Sequence, residues 1–254
     1  MTYSKSSSEF TVSSVLRCTW DVLWKKPMYF LGMALLLTII LSLLSNIRTI
    51  LFLYNLLGPS LIAVKSIVIF LSSIVLAIFE CAITYAILAI HLDFKTSALD
   101  SFKLSASQLP SVILGTAIIS LIIIVFWVIA GMGISILIIP ALVILFIFGP
   151  KIFVFIPACI VEKKGPIESL RRSCELIKGL YFWHVLFILL LPCVVTKILG
   201  FIVKNLGLEN EFMFNIIWIL IMLIPQAYLC ILPVITYYKL RVAKENFTLD
   251  SLVE

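Results

Sequence analysis

Six long runs of apolar residues separated by short polar stretches organise this chain: Met28 to Ile47, Leu61 to His91, Pro110 to Ala130, Ile134 to Val161, Tyr181 to Val203 and Phe212 to Tyr238. A hydrocarbon layer about 30 Å thick is crossed by about 20 helical residues. A helix is also the form in which a single segment satisfies its own peptide groups away from water. Each run therefore predicts a transmembrane helix, and the fold class is all-α integral membrane. The second, fourth and sixth runs are longer than the layer requires, so they tilt or project beyond it. Between the third and fourth, Gly131-Met132-Gly133 is the only turn signal.

The polar stretches have a pattern of their own. Phe10 to Lys26, Thr96 to Leu109 and Pro166 to Leu180 each precede a pair of apolar runs. Superposing Leu16, Leu99 and Leu170 places Pro27, Pro110 and Tyr181 at one offset, each where an apolar run begins. Ser97-Ala98-Leu99, Glu168-Ser169-Leu170 and Asp250-Ser251-Leu252 follow the second, fourth and sixth runs in the same register. Internal periodicity of this kind marks a repeat architecture. Here the unit is an interfacial amphipathic helix followed by a transmembrane hairpin, with copies at approximately 10–92, 96–162 and 166–245. Each amphipathic helix is expected to lie in the membrane plane, its apolar face in the headgroup boundary.

Composition narrows the class further. Hydrophobic residues make up 63% of the chain and charged residues 13%, with a mean hydropathy of +1.21, against roughly half and about a quarter in an ordinary soluble domain. No polar stretch is long enough for a separate soluble domain, so residues 1–254 read as one polytopic membrane domain. The polar, Ser-rich start Met1 to Glu9 lacks the order of a cleaved signal and is expected to be retained. Fourteen of the 19 Lys and Arg fall on one side of the predicted membrane; Arg48 and Lys204 occupy the opposite loops, and Lys65, Lys151 and Lys197 lie within apolar runs. Basic loops stay cytoplasmic, which predicts both termini and all three amphipathic helices on the inner face. The net charge of +6 then points to anionic phospholipid headgroups as the partner, with no nucleic acid.

Candidate chemistry is sparse. Glu80 and Lys151 occupy equivalent positions of the repeat, with opposite charges, in the second and fourth apolar runs. An intramembrane charge is kept for a reason, since insertion scales put its penalty at about 2.5 to 3.5 kcal/mol. Two arrangements fit: the two groups meet or line one polar cavity, or Lys151, just after Pro150, faces a water defect away from Glu80. Lys65 and Lys197 lie close enough to the ends of their runs to snorkel. Pro140, Pro150, Pro157, Pro192, Pro225 and Pro233 kink the later runs, either to open a site or simply to pack. His184 beside Trp183 reads as an interfacial anchor. The six cysteines stand singly with only His91 and His184 to assist them, so no metal and no cofactor is expected. No catalytic residue is assigned either: the chain offers no nucleophile with its base, no paired carboxylates at a workable depth and no glycine-rich phosphate loop.

Two stretches are more distinctive. One runs from Val161 to Ser173 and on through Leu176, Lys178 and Gly179; the other runs from Tyr237 to Phe247 and includes Tyr238, Arg241, Lys244 and Glu245. Together they resemble the bacterial membrane-domain family found fused to some glycerophosphodiester phosphodiesterases, and the related stand-alone YciC-like inner-membrane proteins. Glu162, Gly165, Leu170, Arg172, Ser173, Lys178 and Gly179 match that family's first motif. Ser169 stands where the family has alanine, and Cys174 where it has tryptophan, so that aromatic anchor is missing here. The resemblance implies an inner-membrane protein of six helices. The phosphodiesterase activity of fused relatives belongs to a separate soluble domain with no counterpart in this chain. Physically, Gly165 and Pro166 start an interfacial helix, Arg171, Arg172 and Lys178 meet headgroups, and Gly179 releases the chain into the next span. Two functions are compatible with these features: a non-enzymatic envelope or lipid-interacting module, and a transporter or channel for a small or amphiphilic solute.

Overall fold

A computed structural model describes residues 10–53, 61–91, 98–131, 138–205 and 211–245. Every regular element among them is an α-helix: α1 (Val12–Lys25), α2 (Pro27–Leu53), α3 (Leu61–His91), α4 (Ala98–Ser105), α5 (Leu109–Gly131), α6 (Ile138–Ile152), α7 (Phe155–Glu162), α8 (Pro166–Leu176), α9 (Leu180–Lys204) and α10 (Glu211–Glu245). The polar start Met1 to Glu9, the turn at Met132-Gly133 and the tail Asp250-Ser251-Leu252 lie outside the described residues. Among the described residues four helices contain stretches long and apolar enough to cross a membrane: Pro27–Leu44, Ser66–Ile90, Leu180–Val203 and Ile216–Glu245.

Local chemistry accounts for most of the boundaries. Thr11 caps α1 reciprocally: its hydroxyl accepts from the Ser14 amide at 3.3 Å, and its own amide donates to Ser14 Oγ at 3.4 Å. Pro27 and Pro166 open α2 and α8 at the first helical position, where a missing N–H deprives the helix of nothing. The fourth apolar run differs from the expectation of one continuous span. Pro150 removes a donor and crowds the preceding turn, Phe153 N closes on Pro150 O at 3.2 Å, and the chain restarts as α7 at Phe155. At this break the Lys151 carbonyl accepts the Ser173 hydroxyl of α8 at 2.6 Å.

Packing is graded along the bundle. Buried residues concentrate between Phe30 and Leu37 of α2, Ala77 and Ala89 of α3, Val185 and Ile188 of α9, and Met222 and Leu240 of α10. The opposite halves of these helices expose Leu43, Ile67, Leu71, Val194, Ile198, Phe201 and Leu220. Apolar surface on that scale suits a lipid solvent, because soluble monomers rarely expose large contiguous apolar patches. Since lipid tails are as apolar as leucine, helix association there depends on close fit and interhelical hydrogen bonds rather than on hydrophobic transfer. Both occur at α5. Gly115 leaves a hole filled by the Phe155 ring of α7, so that a Cβ at Gly115 would sit 2.2 Å from Phe155 Cζ. Ser120 Oγ lies 2.5 Å from Ser73 Oγ of α3.

The short helices are inserted among the long ones, and this corrects the expectation that their apolar faces rest in the headgroup boundary. The Phe102 ring of α4 meets Phe79 edge-on at 5.5 Å, about 18 Å from the His91 end of α3 at 1.5 Å per residue. Phe10, just before α1, packs against Tyr181 at 5.4 Å, and Tyr181 lies 5.1 Å beneath Lys244 of α10. Leu16 O, by contrast, accepts from the Tyr228 hydroxyl at 3.1 Å. Tyr228 and Lys244 are about 24 Å apart along α10, so α1 runs beside α10 and its Val15, Thr19, Val22 and Leu23 are covered by protein. On α8, Ser169, Ser173 and Leu176 are likewise buried, against neighbours that include α5, α6 and α7. The physical reason is close fit: the grooves between the long helices take up these faces with specific packing and hydrogen bonds such as Tyr228 to Leu16 and Ser173 to Lys151.

Candidate functional site

The two distinctive stretches meet in space. α7 ends on Glu162, and Lys163 adopts a left-handed conformation (φ 51°) that turns the chain sharply into α8. The Lys164 carbonyl in this turn accepts from Ser169 Oγ at 3.3 Å and from the Cys159 thiol at 3.4 Å, which ties both flanking helices to the turn. Gly165 precedes Pro166 at the start of α8. At the other end Gly179 holds φ +71° and ψ −135°, a region open to glycine alone in practice, and the chain passes into α9.

Within this frame five side chains close a ring. Glu162 Oε1 accepts from Arg172 Nε at 2.8 Å and from the Tyr237 hydroxyl at 3.0 Å. The Tyr237 oxygen accepts from Arg241 Nη1 at 3.2 Å, and Arg241 Nε pairs with Glu245 Oε2 at 3.0 Å. Arg172 Nη2 completes the circuit on Glu245 Oε1. Lys164 Nζ adds a third ligand to Glu162, at 2.5 Å on Oε2. Three cations face two carboxylates, so the cluster carries one net positive charge. Its centre is withdrawn from solvent, with the Glu162 and Arg172 side chains 9% and 20% exposed, while Lys164 and Glu245 reach the surface. Burial alone would raise the Glu162 pKa, but hydrogen bonds from Lys164 and Arg172, with the Arg172 charge, hold it below the usual carboxylate range. Burial alone would lower the Arg172 pKa, and the bonds to Glu162 and Glu245 more than offset that, keeping the guanidinium firmly charged.

The remaining positions fall into place around this ring. Arg171 points outward and pairs with Glu175 at 3.1 Å. Lys244 donates to the Glu175 carbonyl at 3.0 Å. Ser173 holds the broken end of α6, as described above. Lys178 is exposed beside Gly179. Of the candidate residues, Glu162, Arg172, Arg241 and Glu245 are thus brought together, Lys244 lies at the edge, and Tyr238 is buried with its ring edge-on to Tyr237 at 5.7 Å. The hydroxyl that bridges Glu162 and Arg241 belongs to Tyr237, which sequence reasoning passed over. The signal was present: Tyr237, Arg241 and Glu245 recur at intervals of four and share one helix face.

The expected Glu80–Lys151 pair is a different matter. Among the described residues no ion pair joins the two. The Lys151 ammonium lies 5.5 Å from the centroid of the Phe148 ring and its carbonyl is taken by Ser173. Glu80 is half-buried in α3, where its backbone carbonyl accepts from the Thr84 hydroxyl at 2.7 Å. The repeat register equated the two positions, but the break after Pro150 turns the chain at Lys151 toward α8.

A second feature lies on the outer face of α1. Trp20 and Trp24 are 45% and 53% exposed, stacked edge-on at 5.8 Å, with Arg17 and Lys25 exposed on the same helix. The same juxtaposition recurs at the start of α9, where exposed Leu180 and Trp183 follow Lys178. Comparison of the chain with protein-family models, curated proteins and solved structures returns no match.

Proposed function

We propose that this chain is a non-enzymatic, multi-pass inner-membrane module that contacts anionic lipid through the outer faces of its short helices. It crosses the membrane six times, in three units of a short helix and a hairpin, with both termini cytoplasmic. The order of elements supports the unit, since a short helix precedes two long ones at α1–α3 and again at α8–α10. The bias of basic residues supports the orientation, and the resemblance of the two motifs supports the inner-membrane assignment.

The observation that carries the reading is the Trp20–Trp24 pair with its flanking cations. Indole rings have an apolar body and one polar N–H, which suits them to a lipid-facing surface, and the long stems of adjacent Arg17 and Lys25 can carry their charges to anionic phosphate. Arg172, Arg241, Lys164 and Glu245 meanwhile satisfy one another around Glu162, which makes that cluster a structural tie between α7, α8 and α10.

The test is fluorescence of the full chain in lipid nanodiscs. The emission lost on changing Trp20 and Trp24 to Phe is expected to be quenched by brominated lipids and shielded from aqueous iodide. Quenching by iodide with no effect of brominated lipid overturns the reading. Saturable solute flux in proteoliposomes overturns it in favour of transport.

A further inference from the structure

The ring around Glu162 engages Arg172, and Glu175 engages Arg171, so the two arginines expected to meet headgroups already have carboxylate partners. Two lysines nearby have no ion pair among the described residues: Lys151 at the end of α6 and Lys178 between α8 and α9. Ser173 of α8 holds the Lys151 carbonyl at 2.6 Å, and Lys178 follows five residues later, just past the end of the same helix, which brings both lysines to the C-terminal half of α8. α6 packs against both α8 and α9, so the three helices form a corner with α8 at its head.

Below that corner the surface is apolar. Trp183 and Phe187 of α9 are exposed at helical spacing beneath Lys178, and Leu180, at its first turn, is 79% exposed. Phe148 and Ile144 are exposed on α6, with the Lys151 ammonium held over the Phe148 ring. Farther along α9 the exposed apolar face continues through Leu190 and Leu191. Cationic head and apolar flank together match the two ends of one amphiphile.

We propose that the corner formed by α6, α8 and α9 binds an anionic phospholipid, its phosphate held by Lys151 and Lys178 and an acyl chain lying along the exposed face of α9. The proposal rests on the lipid-contacting reading above and deepens it. It also separates the roles of the cations in the motif: Arg172 ties helices together, while Lys178 meets lipid. Glu175, on α8 beside the corner, is engaged by Arg171.

Native mass spectrometry of the detergent-purified full chain provides the test, with phosphatidylglycerol and phosphatidylcholine of identical acyl chains as probes. The wild-type chain is expected to retain phosphatidylglycerol preferentially. The variant Lys151→Gln/Lys178→Gln is expected to lose about 30-fold in that preference, the effect of removing two lysines next to a membrane. Lys163→Gln, which changes an exposed cation in the turn before α8, is expected to keep it. Equal retention of both lipids by the wild type overturns the site, as does an undiminished preference in the double variant. Neither result disturbs the indole quenching at Trp20 and Trp24, so failure of the site and failure of the broader reading remain distinguishable.

Discussion

Replacing Glu162 with glutamine keeps the shape of the side chain and removes its charge, and the ring states what should follow. An amide oxygen can still accept from Tyr237, so that buried hydroxyl keeps a partner. Arg172 Nε can share that amide oxygen but loses the negative charge opposite it, and keeps Glu245 as its remaining carboxylate. Lys164, which is 41% exposed, returns to solvent with little loss. Breaking a fully buried pair from one side typically costs 3–5 kcal/mol, and a hydrogen bond to a charged group is worth about 1.5–3 kcal/mol. The partial exposure of Arg172 places the expected destabilisation at about 2–4 kcal/mol. Unfolding in mixed detergent micelles, followed by tryptophan emission, measures it. A double-mutant cycle with Arg172→Met should show that the two changes together are less damaging than their sum, because the second relieves the cation stranded by the first.

The same substitution has a signature in pH. The folded-state pKa of Glu162 lies below the ordinary carboxylate value of about 4.3. Between the two values the unfolded chain binds more protons, so stability rises with pH. The contribution is complete above the unfolded value and disappears as pH falls through the folded one. Glu162→Gln should therefore flatten the stability profile below about pH 4.3 while lowering it above. Unchanged stability at neutral pH, or an acid limb that survives the substitution, would refute the assignment of Glu162 as the hub.

Two further perturbations probe the packing. Gly115→Ala drives a methyl into the buried Phe155 ring and should destabilise the chain by about 1–3 kcal/mol, the usual range for overpacking; Gly115→Ala/Phe155→Leu should recover most of that loss in the same unfolding assay. Glu80→Gln and Lys151→Met should behave independently, adding within about 0.5 kcal/mol. Rescue of the first by the second would instead restore the intramembrane pair.

Much of the helical content was legible because it is a local property. The apolar run Leu61 to His91 became α3 with those same limits, and the period of α1 put Val15, Thr19 and Val22 on one side whatever came to cover them. Pro150 was readable as a perturbation, though not as a complete break. The convergence of the two motifs was less accessible. Arg171 and Arg172 are indistinguishable by type, yet a single residue step of helix phase, about 100°, aims the first at solvent and the second at Glu162.

By itself the amino-acid order determined which segments are helical, which are apolar enough to cross a membrane and where prolines interrupt them. These depend on backbone hydrogen bonds and side-chain transfer energies spanning a few residues. Tertiary structure alone decided that Tyr237 rather than Tyr238 supplies the bridging hydroxyl, that Glu162 joins a residue 75 positions away, and that Glu80 and Lys151 do not pair. Such choices turn on the rotation and depth of separate helices. An ion pair tolerates an error of only an ångström or two, whereas hydropathy, averaged over a helix, tolerates a whole turn.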